Sequence, residues 1–79
     1  MTKVIIIEDE KPAARRLQRM LSRLNIETEI MLHSVAEAVN WFNSNDHPDL
    51  IFLDINMPDI SGIDLMAMLP ESTMVIFTT

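Results

Sequence analysis

The chain has 79 residues, of which 48% are hydrophobic and 23% are charged, and it contains no cysteine. This length and composition predict one soluble globular domain, and the absence of cysteine excludes a disulfide framework and thiolate metal ligands. The net charge of -6 argues against nucleic-acid binding by this domain. No apolar run approaches the length of a membrane span, and no signal peptide is present, so we expect a cytoplasmic protein without a membrane contact.

The N-terminal residues predict a strand followed by a helix. The β-branched run Val4–Ile7 is typical of a strand buried on both faces. A helix is predicted to begin near Pro12, which suits a first helical turn, and to end at Asn25. Its apolar face recurs at steps of three and four residues, at Ala13, Ala14, Leu17, Met20, Leu21 and Leu24.

A second strand and a second helix are predicted next. The strand covers 27–32 and is only modestly apolar. Ser34 and Glu37 form a capping-box pattern, which predicts that a helix begins there. Because Trp41 and Phe42 are adjacent, they cannot share one helix face, and we expect Phe42 in the core and Trp41 partly exposed.

The rest of the chain repeats the alternation. Apolar runs predict a third strand over 50–53, a short helix over 63–69 that Pro70 closes, and a fourth strand over 74–77. The order β-α-β-α-β-α-β predicts an α/β fold with a parallel sheet and helices on both faces. Four methionines are expected to fill gaps in its core, namely Met20, Met66, Met68 and Met74.

Acidic side chains follow two of the predicted strands. Glu8 and Asp9 come directly after the first strand, and Asp54 follows the third. Functional groups of open parallel sheets gather beyond the carboxyl ends of the strands, so these carboxylates converge if the two strands are neighbours. A bound cation relieves the repulsion, and oxygen ligands suit Mg²⁺. A solvated acidic rim is the alternative, but three carboxylates beside a loop shaped by Pro58 and Gly62 favour a site.

Three segments carry a family resemblance. They are Ile7-Glu8-Asp9-Glu10, the stretch DLIFLDINMPDISG over 49–62, and the run VIFTT over 75–79. Together they resemble the receiver domain of bacterial response regulators, and the first helix and fourth strand are more weakly similar to receivers of LytTR-type transcription regulators. The resemblance implies a flavodoxin-like, doubly wound parallel sheet with the strand order 2-1-3-4.

The resemblance assigns a role to each acidic residue. Asp54 is expected to be the phosphoacceptor. The carboxylates of Asp9 and Asp54 and the backbone carbonyl of Asn56 are expected to hold Mg²⁺, and Glu8 to act through a metal-bound water.

Neighbouring residues also receive expected roles from the resemblance. Thr79 is expected to form a hydrogen bond with the phosphoryl group, and Thr78 is the fallback for that role. Pro58 and Gly62 are expected to shape the loop and the start of the next helix.

The family fold continues with a fourth helix, a fifth strand, a fifth helix and a lysine that pairs with the phosphoryl group. Residues 1–79 are therefore expected to be the N-terminal two-thirds of a receiver domain, either truncated or with an edge that pairs with another chain. That edge is the predicted fourth strand, 74–77, whose backbone groups lack a second neighbour.

The resemblance implies a sensor histidine kinase as the partner. Docking is expected near Arg15 and Arg19 of the first helix and near Met57, although a solvated helix face is the alternative for the arginines. His33 and His47 show no ligand spacing and are expected to be surface or loop histidines.

The predicted function is that of a phosphoacceptor module of a two-component phosphorelay, which switches a downstream output and is not a turnover enzyme. One alternative is a Mg²⁺-dependent aspartyl-phosphate hydrolase, since Asp54-Ile55-Asn56 superficially matches its Asp-x-Asp motif. However, Asn56 provides no acid, and that class places the motif on its first strand. The other alternative is a receiver-like interaction scaffold that takes no phosphate.

Overall fold

The protein is an α/β domain with one four-stranded sheet. The computed structural model describes residues 2–56, 65 and 67–78. In chain order, the elements are β1 (Val4–Ile7), α1 (Lys11–Arg23), β2 (Thr28–Leu32), α2 (Val35–Ser44), β3 (Leu50–Asp54) and β4 (Met74–Thr78). Each predicted strand is confirmed to within a residue at either end. Most of the helix predicted over 63–69 lies outside the described residues.

The sheet is parallel throughout and has the order β2-β1-β3-β4, which confirms the predicted fold class. β1 and β3 are adjacent in an unbroken register from Val4 opposite Leu50 to Ile7 opposite Leu53. Their carboxyl ends therefore reach the same edge of the sheet side by side. β1 is fully buried along its length, as its unbroken β-branched sequence predicts.

Within the part of the chain that the structure describes, α1 and α2 cover opposite faces of the sheet. On one face, α2 packs Val35, Ala38 and Phe42 against apolar side chains of β1 and β3, including Ile5 and Ile51. On the other face, α1 packs Ala14 and Leu21 against Ile6 in a smaller cluster. Helices on both faces are thus confirmed, with the larger core beneath α2.

Each helix has one of its predicted boundary signals, α2 at its start and α1 near its end. α2 begins after Ser34, whose side-chain Oγ accepts a hydrogen bond from the Glu37 backbone N–H at 3.0 Å, so the predicted cap is confirmed. α1 ends at Arg23, and Asn25 adopts a φ of 62°. Asparagine tolerates this left-handed conformation better than most residues, and the conformation ends the helix.

Several side chains predicted to be core are exposed. Met20 is 53% exposed, Met74 is 66% exposed, and Leu24 and Met68 are exposed as well. The prediction that these methionines fill the core is wrong for Met20, Met68 and Met74, and Met66 lies outside the described residues. For Met74 the reason is that α1 lies mainly over β1 and β2, and Ile76 of the same strand is likewise 43% exposed.

Neither helix of the described residues is long and apolar enough to cross a membrane. Phe42 is buried and Trp41 is partly exposed, as predicted. Their rings meet edge to face, with centroids 5.8 Å apart and planes at 75°.

Replacement of the cap of α2 is expected to destabilise the fold measurably. Ser34→Ala removes the acceptor of the Glu37 N–H and should lower the free energy of unfolding by about 1 kcal/mol. Ser44→Ala, at the exposed other end of the same helix, is the matched control and should have little effect. Urea denaturation compares the two, and equal losses would show that the cap contributes nothing.

Candidate functional site

The carboxyl ends of β1 and β3 bring acidic residues together. Ile7 and Leu53 are register partners, so the next residues, Glu8 and Asp54, lie beside each other at the sheet edge. Asp54 is the last residue of β3 and is only 5% exposed. Glu8 is partly buried, and Asp9 is exposed. The structure therefore confirms that these three side chains converge.

The three carboxylates form a compact cluster. One oxygen from each of Glu8, Asp9 and Asp54 lies within 4.8 Å of the other two. Among the described residues, no other set of three or more histidine or acidic side chains is arranged this way. At such separations the carboxylates repel unless a proton or a cation lies between them.

Backbone N–H groups orient two of the carboxylates. The Asn56 N–H donates to Asp54 Oδ1 at 3.0 Å, which fixes the plane of that carboxylate. The Glu10 N–H donates to Glu8 Oε2 over a longer 3.4 Å. Asn56 is exposed in the turn that follows β3, and its hydrogen bond to Asp54 shows that its backbone N–H faces the cluster; the predicted role of its carbonyl stays a prediction.

The pKa values of Glu8 and Asp54 are shifted in opposite directions. Burial raises the pKa of Glu8 from 4.5 to about 7, with further contributions from its hydrogen bonds to the Asp54 and Asp9 side chains. Burial alone would also raise the pKa of Asp54, but hydrogen bonds from Glu8 and the Asn56 N–H outweigh it and lower that pKa. In the metal-free protein below about pH 7, these opposite shifts favour the proton on Glu8 and the ionised form of Asp54.

The donor set fits a hard divalent cation. All three side chains offer carboxylate oxygens, which Mg²⁺ prefers, and a cation among them would replace the proton that Glu8 otherwise retains. The exposure of Asp9 leaves room for the waters that Mg²⁺ keeps when bound. The three carboxylates therefore fit a Mg²⁺ ion in their chemistry and in their closeness, and the assignment of individual ligands stays a prediction.

Thr78 lies next to the cluster. It is the register partner of Asp54 in β4, and its carbonyl accepts the Ile55 N–H at 3.1 Å. Thr78 and Glu8 also line one small cavity of about 160 Å³, together with Arg16 and apolar residues of α1. Thr79, Met57, Pro58 and Gly62 lie outside the described residues, so their predicted roles stay predictions.

The sequence analysis missed a residue beside the site. His33 is partly buried directly after β2, and its ring Nδ1 lies 3.0 Å from the backbone carbonyl of Glu8. It was expected to be a surface or loop histidine because no ligand spacing surrounds it. Its position at the carboxyl end of a strand adjoining β1 was the available signal. His47 is exposed, as predicted, with its ring 5.9 Å from that of Phe42.

The arginines of the predicted docking face are exposed. Arg15 and Arg19 lie on the solvent side of α1, as do Arg16 and Arg23. The one ion pair recorded among the described residues, Lys3 with Glu29 at 3.9 Å, is elsewhere on the surface. Exposure fits both a docking surface and a solvated helix face.

The raised pKa of Glu8 predicts how the stability of the metal-free protein depends on pH. The folded state retains a proton that the unfolded state releases near pH 4.5, so folding is favoured below that pH. This stabilisation should disappear as the pH rises through about 7. The lowered pKa of Asp54 has the opposite effect on stability, because its contribution is lost as the pH falls. That loss occurs only below pH 3.8.

The measurement is urea denaturation in chelator between pH 5 and 8. The parent should lose stability across this range, and Glu8→Gln should lose less because its amide does not titrate. Glu71→Gln, at an exposed glutamate in the turn before β4, is the control and should follow the parent. An undiminished slope in Glu8→Gln would contradict the assignment of the proton to Glu8.

Comparisons with known proteins agree with this fold. The sequence profile of the response regulator receiver domain matches residues 4–79. An uncharacterized response regulatory protein of Yersinia pestis is 44% identical over 78 residues, which cover 91% of this chain and 31% of that protein. The transcriptional regulatory protein BtsR of Salmonella typhi is 40% identical over 74 residues, which cover 90% of this chain and 30% of BtsR.

A solved structure shows the same architecture. The anti-anti-sigma factor PhyR from Bartonella quintana is similar with a TM-score of 0.81 and 33% sequence identity, over 96% of this chain and 32% of that one. The chain thus spans just under a third of the length of these relatives. Receiver domains are signalling modules of response regulators and not classical enzymes. On the profile match and the parallel 2-1-3-4 sheet, the chain belongs to the family of response regulator receiver domains.

Proposed function

We propose that this receiver accepts a phosphoryl group on Asp54 from a histidine kinase. The observation that carries the proposal is the cluster of three carboxylates within 4.8 Å, in which Asp54 is buried and held by a backbone N–H. An ionised carboxylate that is immobilised at the carboxyl edge of a parallel sheet presents its nucleophilic oxygens in a fixed orientation. Two neighbouring carboxylates provide the cation-binding capacity that this nucleophile needs.

Asp9 and Asp54, with the backbone carbonyl of Asn56, would hold Mg²⁺ directly, and Glu8 would act through water. Bound Mg²⁺ would neutralise charge on the phosphoryl oxygens, which otherwise repel an anionic nucleophile. Glu8 must lose its proton for this role, so its pKa of about 7 makes metal affinity rise with pH across the neutral range.

The group transfer balances without a further reactant. One carboxylate oxygen of Asp54 forms a bond to phosphorus while the phosphorus–nitrogen bond to the kinase imidazole breaks. The electron pair of that bond stays on the imidazole nitrogen, and the product is an acyl phosphate on Asp54. The lowered pKa of Asp54 keeps the attacking carboxylate ionised, and the hydrogen bond from Asn56 at 3.0 Å holds its plane.

A hydroxyl group at the end of β4 would form a hydrogen bond with the added phosphoryl group. Thr79 is our first candidate for the hydrogen bond to it, and Thr78, the register partner of Asp54, is the second. Pro58 and Gly62 would shape the intervening loop. A new anion with strong acceptor oxygens can reorder a segment that carries a hydroxyl group.

Partner contacts follow from the exposed surfaces. A kinase would dock against Arg15 and Arg19 of α1 and near Met57. The apolar edge strand Met74–Thr78, in which Met74 and Phe77 are exposed, would pair with another strand.

We also propose that residues 1–79 form the N-terminal two-thirds of a receiver unit in a cytoplasmic regulator of transcription, as the name of its relative BtsR suggests. A LytTR-type output stays a prediction.

Phosphorylation is tested by intact mass after incubation with Mg²⁺ and acetyl phosphate. The parent should gain one phosphoryl group, and Asp54→Asn, which keeps the shape but not the nucleophile, should gain none. Asp46→Asn removes an exposed aspartate of the α2–β3 loop and is the matched control, expected to label like the parent.

Labelling that persists in Asp54→Asn would refute Asp54 as the acceptor. A parent chain that stays unlabelled while it binds Mg²⁺ would instead support the interaction scaffold. Continuous turnover of a small phosphate ester would support the hydrolase.

Metal binding should stabilise the fold by mass action. At a Mg²⁺ concentration ten times its Kd, the free energy of unfolding should rise by about 1.4 kcal/mol, and chelator should reverse the effect. Asp9→Asn should lose most of this gain because an amide is a poorer ligand than a carboxylate, whereas Asp46→Asn should retain it. Thermal melting at matched ionic strength measures the effect, and an equal gain in Asp9→Asn would exclude Asp9 as a ligand.

A further inference from the structure

The end of β2 holds both backbone polar groups of Glu8. The Glu8 N–H donates to the Leu32 carbonyl at 2.9 Å, which continues the ladder between β1 and β2. The Glu8 carbonyl lies 3.0 Å from the ring Nδ1 of His33. Because a carbonyl only accepts, this contact is a hydrogen bond when Nδ1 carries a proton.

His33 occupies the point at which the chain leaves the sheet. The next residue, Ser34, is already the cap of α2, with an extended backbone and its Oγ on the Glu37 N–H. The backbone of His33 is held from the helix side as well, since its N–H donates to the Glu37 carboxylate. The imidazole therefore extends from a backbone fixed at the first turn of α2 to the carbonyl at the end of β1.

The Glu8 carbonyl belongs to the peptide group that leads into Asp9. Its direction sets the ψ angle of Glu8 and hence where the Asp9 backbone lies. Glu8 and Asp9 contribute two of the three clustered carboxylates, and whenever both are ionised their mutual repulsion favours a conformation that separates them. A donor that fixes this peptide opposes that separation without itself joining the cluster.

We infer that His33 is a positioning residue of the acidic site, whose Nδ1–H holds the peptide between Glu8 and Asp9 so that both carboxylates face Asp54. Its consequence for metal affinity rests on the proposed function, whereas the contact with the Glu8 carbonyl does not. His33 acts through the backbone, much as groups outside a metal's ligand set orient the ligands themselves.

Two substitutions separate positioning from simple packing. His33→Ala removes the donor. His33→Asn retains one, because the asparagine Nδ2 is separated from Cα by the same number of bonds as the histidine Nδ1. Val39→Ala, at a partly buried side chain of α2 packed against the larger core, is the control for lost stability away from the site.

The first readouts need no metal. Nitrogen-15 NMR of the parent should show the proton of the neutral ring on Nδ1. The Glu8 N–H is bonded to Leu32 and not to His33, but loss of the bond at the Glu8 carbonyl should let this strand end open more often. Exchange of the Glu8 amide proton should therefore be about fivefold faster in His33→Ala and close to the parent value in His33→Asn. A proton on Nε2, or unchanged exchange in His33→Ala, would overturn the proposed contact.

The second readout is Mg²⁺ affinity by calorimetry. His33→Ala should bind about tenfold more weakly, His33→Asn should approach the parent, and Val39→Ala should bind like the parent despite its lower melting temperature. Equal losses in His33→Ala and His33→Asn, or in Val39→Ala, would overturn the positioning role. If the parent binds no Mg²⁺, the proposed function fails, and the exchange and tautomer data alone then decide whether His33 holds the Glu8 carbonyl.

Discussion

Repulsion among like charges at one sheet edge is the constraint on which the rest of this structure depends. The register of β1 against β3 places Glu8 beside Asp54, and the turn into α1 adds Asp9. An open surface would let these side chains separate into water, but burial of Asp54 prevents this for the central carboxylate. The protein instead distributes the charge through a proton on Glu8 and donors from the backbone. The same arrangement that makes the metal-free site unfavourable makes it receptive to a cation.

The beginnings of the strands, at the other end of the sheet, are joined by hydrogen bonds of 2.7 to 3.2 Å. Lys3 donates its N–H to the Asp49 side chain at 2.7 Å, and its carbonyl accepts the N–H groups of Asp49 and Leu50. The Asp49 carbonyl in turn accepts the Met74 N–H at 2.9 Å, and Thr73 Oγ1 donates to the Pro48 carbonyl at 2.8 Å. Three strands are thus tied together where they begin.

The sequence was sufficient for the fold and for the central members of the site. Unbroken apolar runs located the strands, and a carboxylate at the end of each of two strands located the cluster, because parallel strands deliver their carboxyl ends to one edge. The sequence did not predict that Met20 and Met74 are exposed. Periodicity identifies the apolar face of α1, but it does not show how much of the sheet α1 covers. The sequence was also insufficient for His33, because a side chain bound to a backbone carbonyl leaves no spacing pattern that could be recognised.

The contact between Trp41 and Phe42 has a practical consequence. The chain contains a single tryptophan, and its indole meets a core ring edge to face at 5.8 Å. It lies on the helix whose first turn supplies the Glu37 carboxylate that binds the His33 N–H. Because Trp41 is partly buried and packs against the larger core, fluorescence from this one indole reports whether that core is assembled, and it needs no added label.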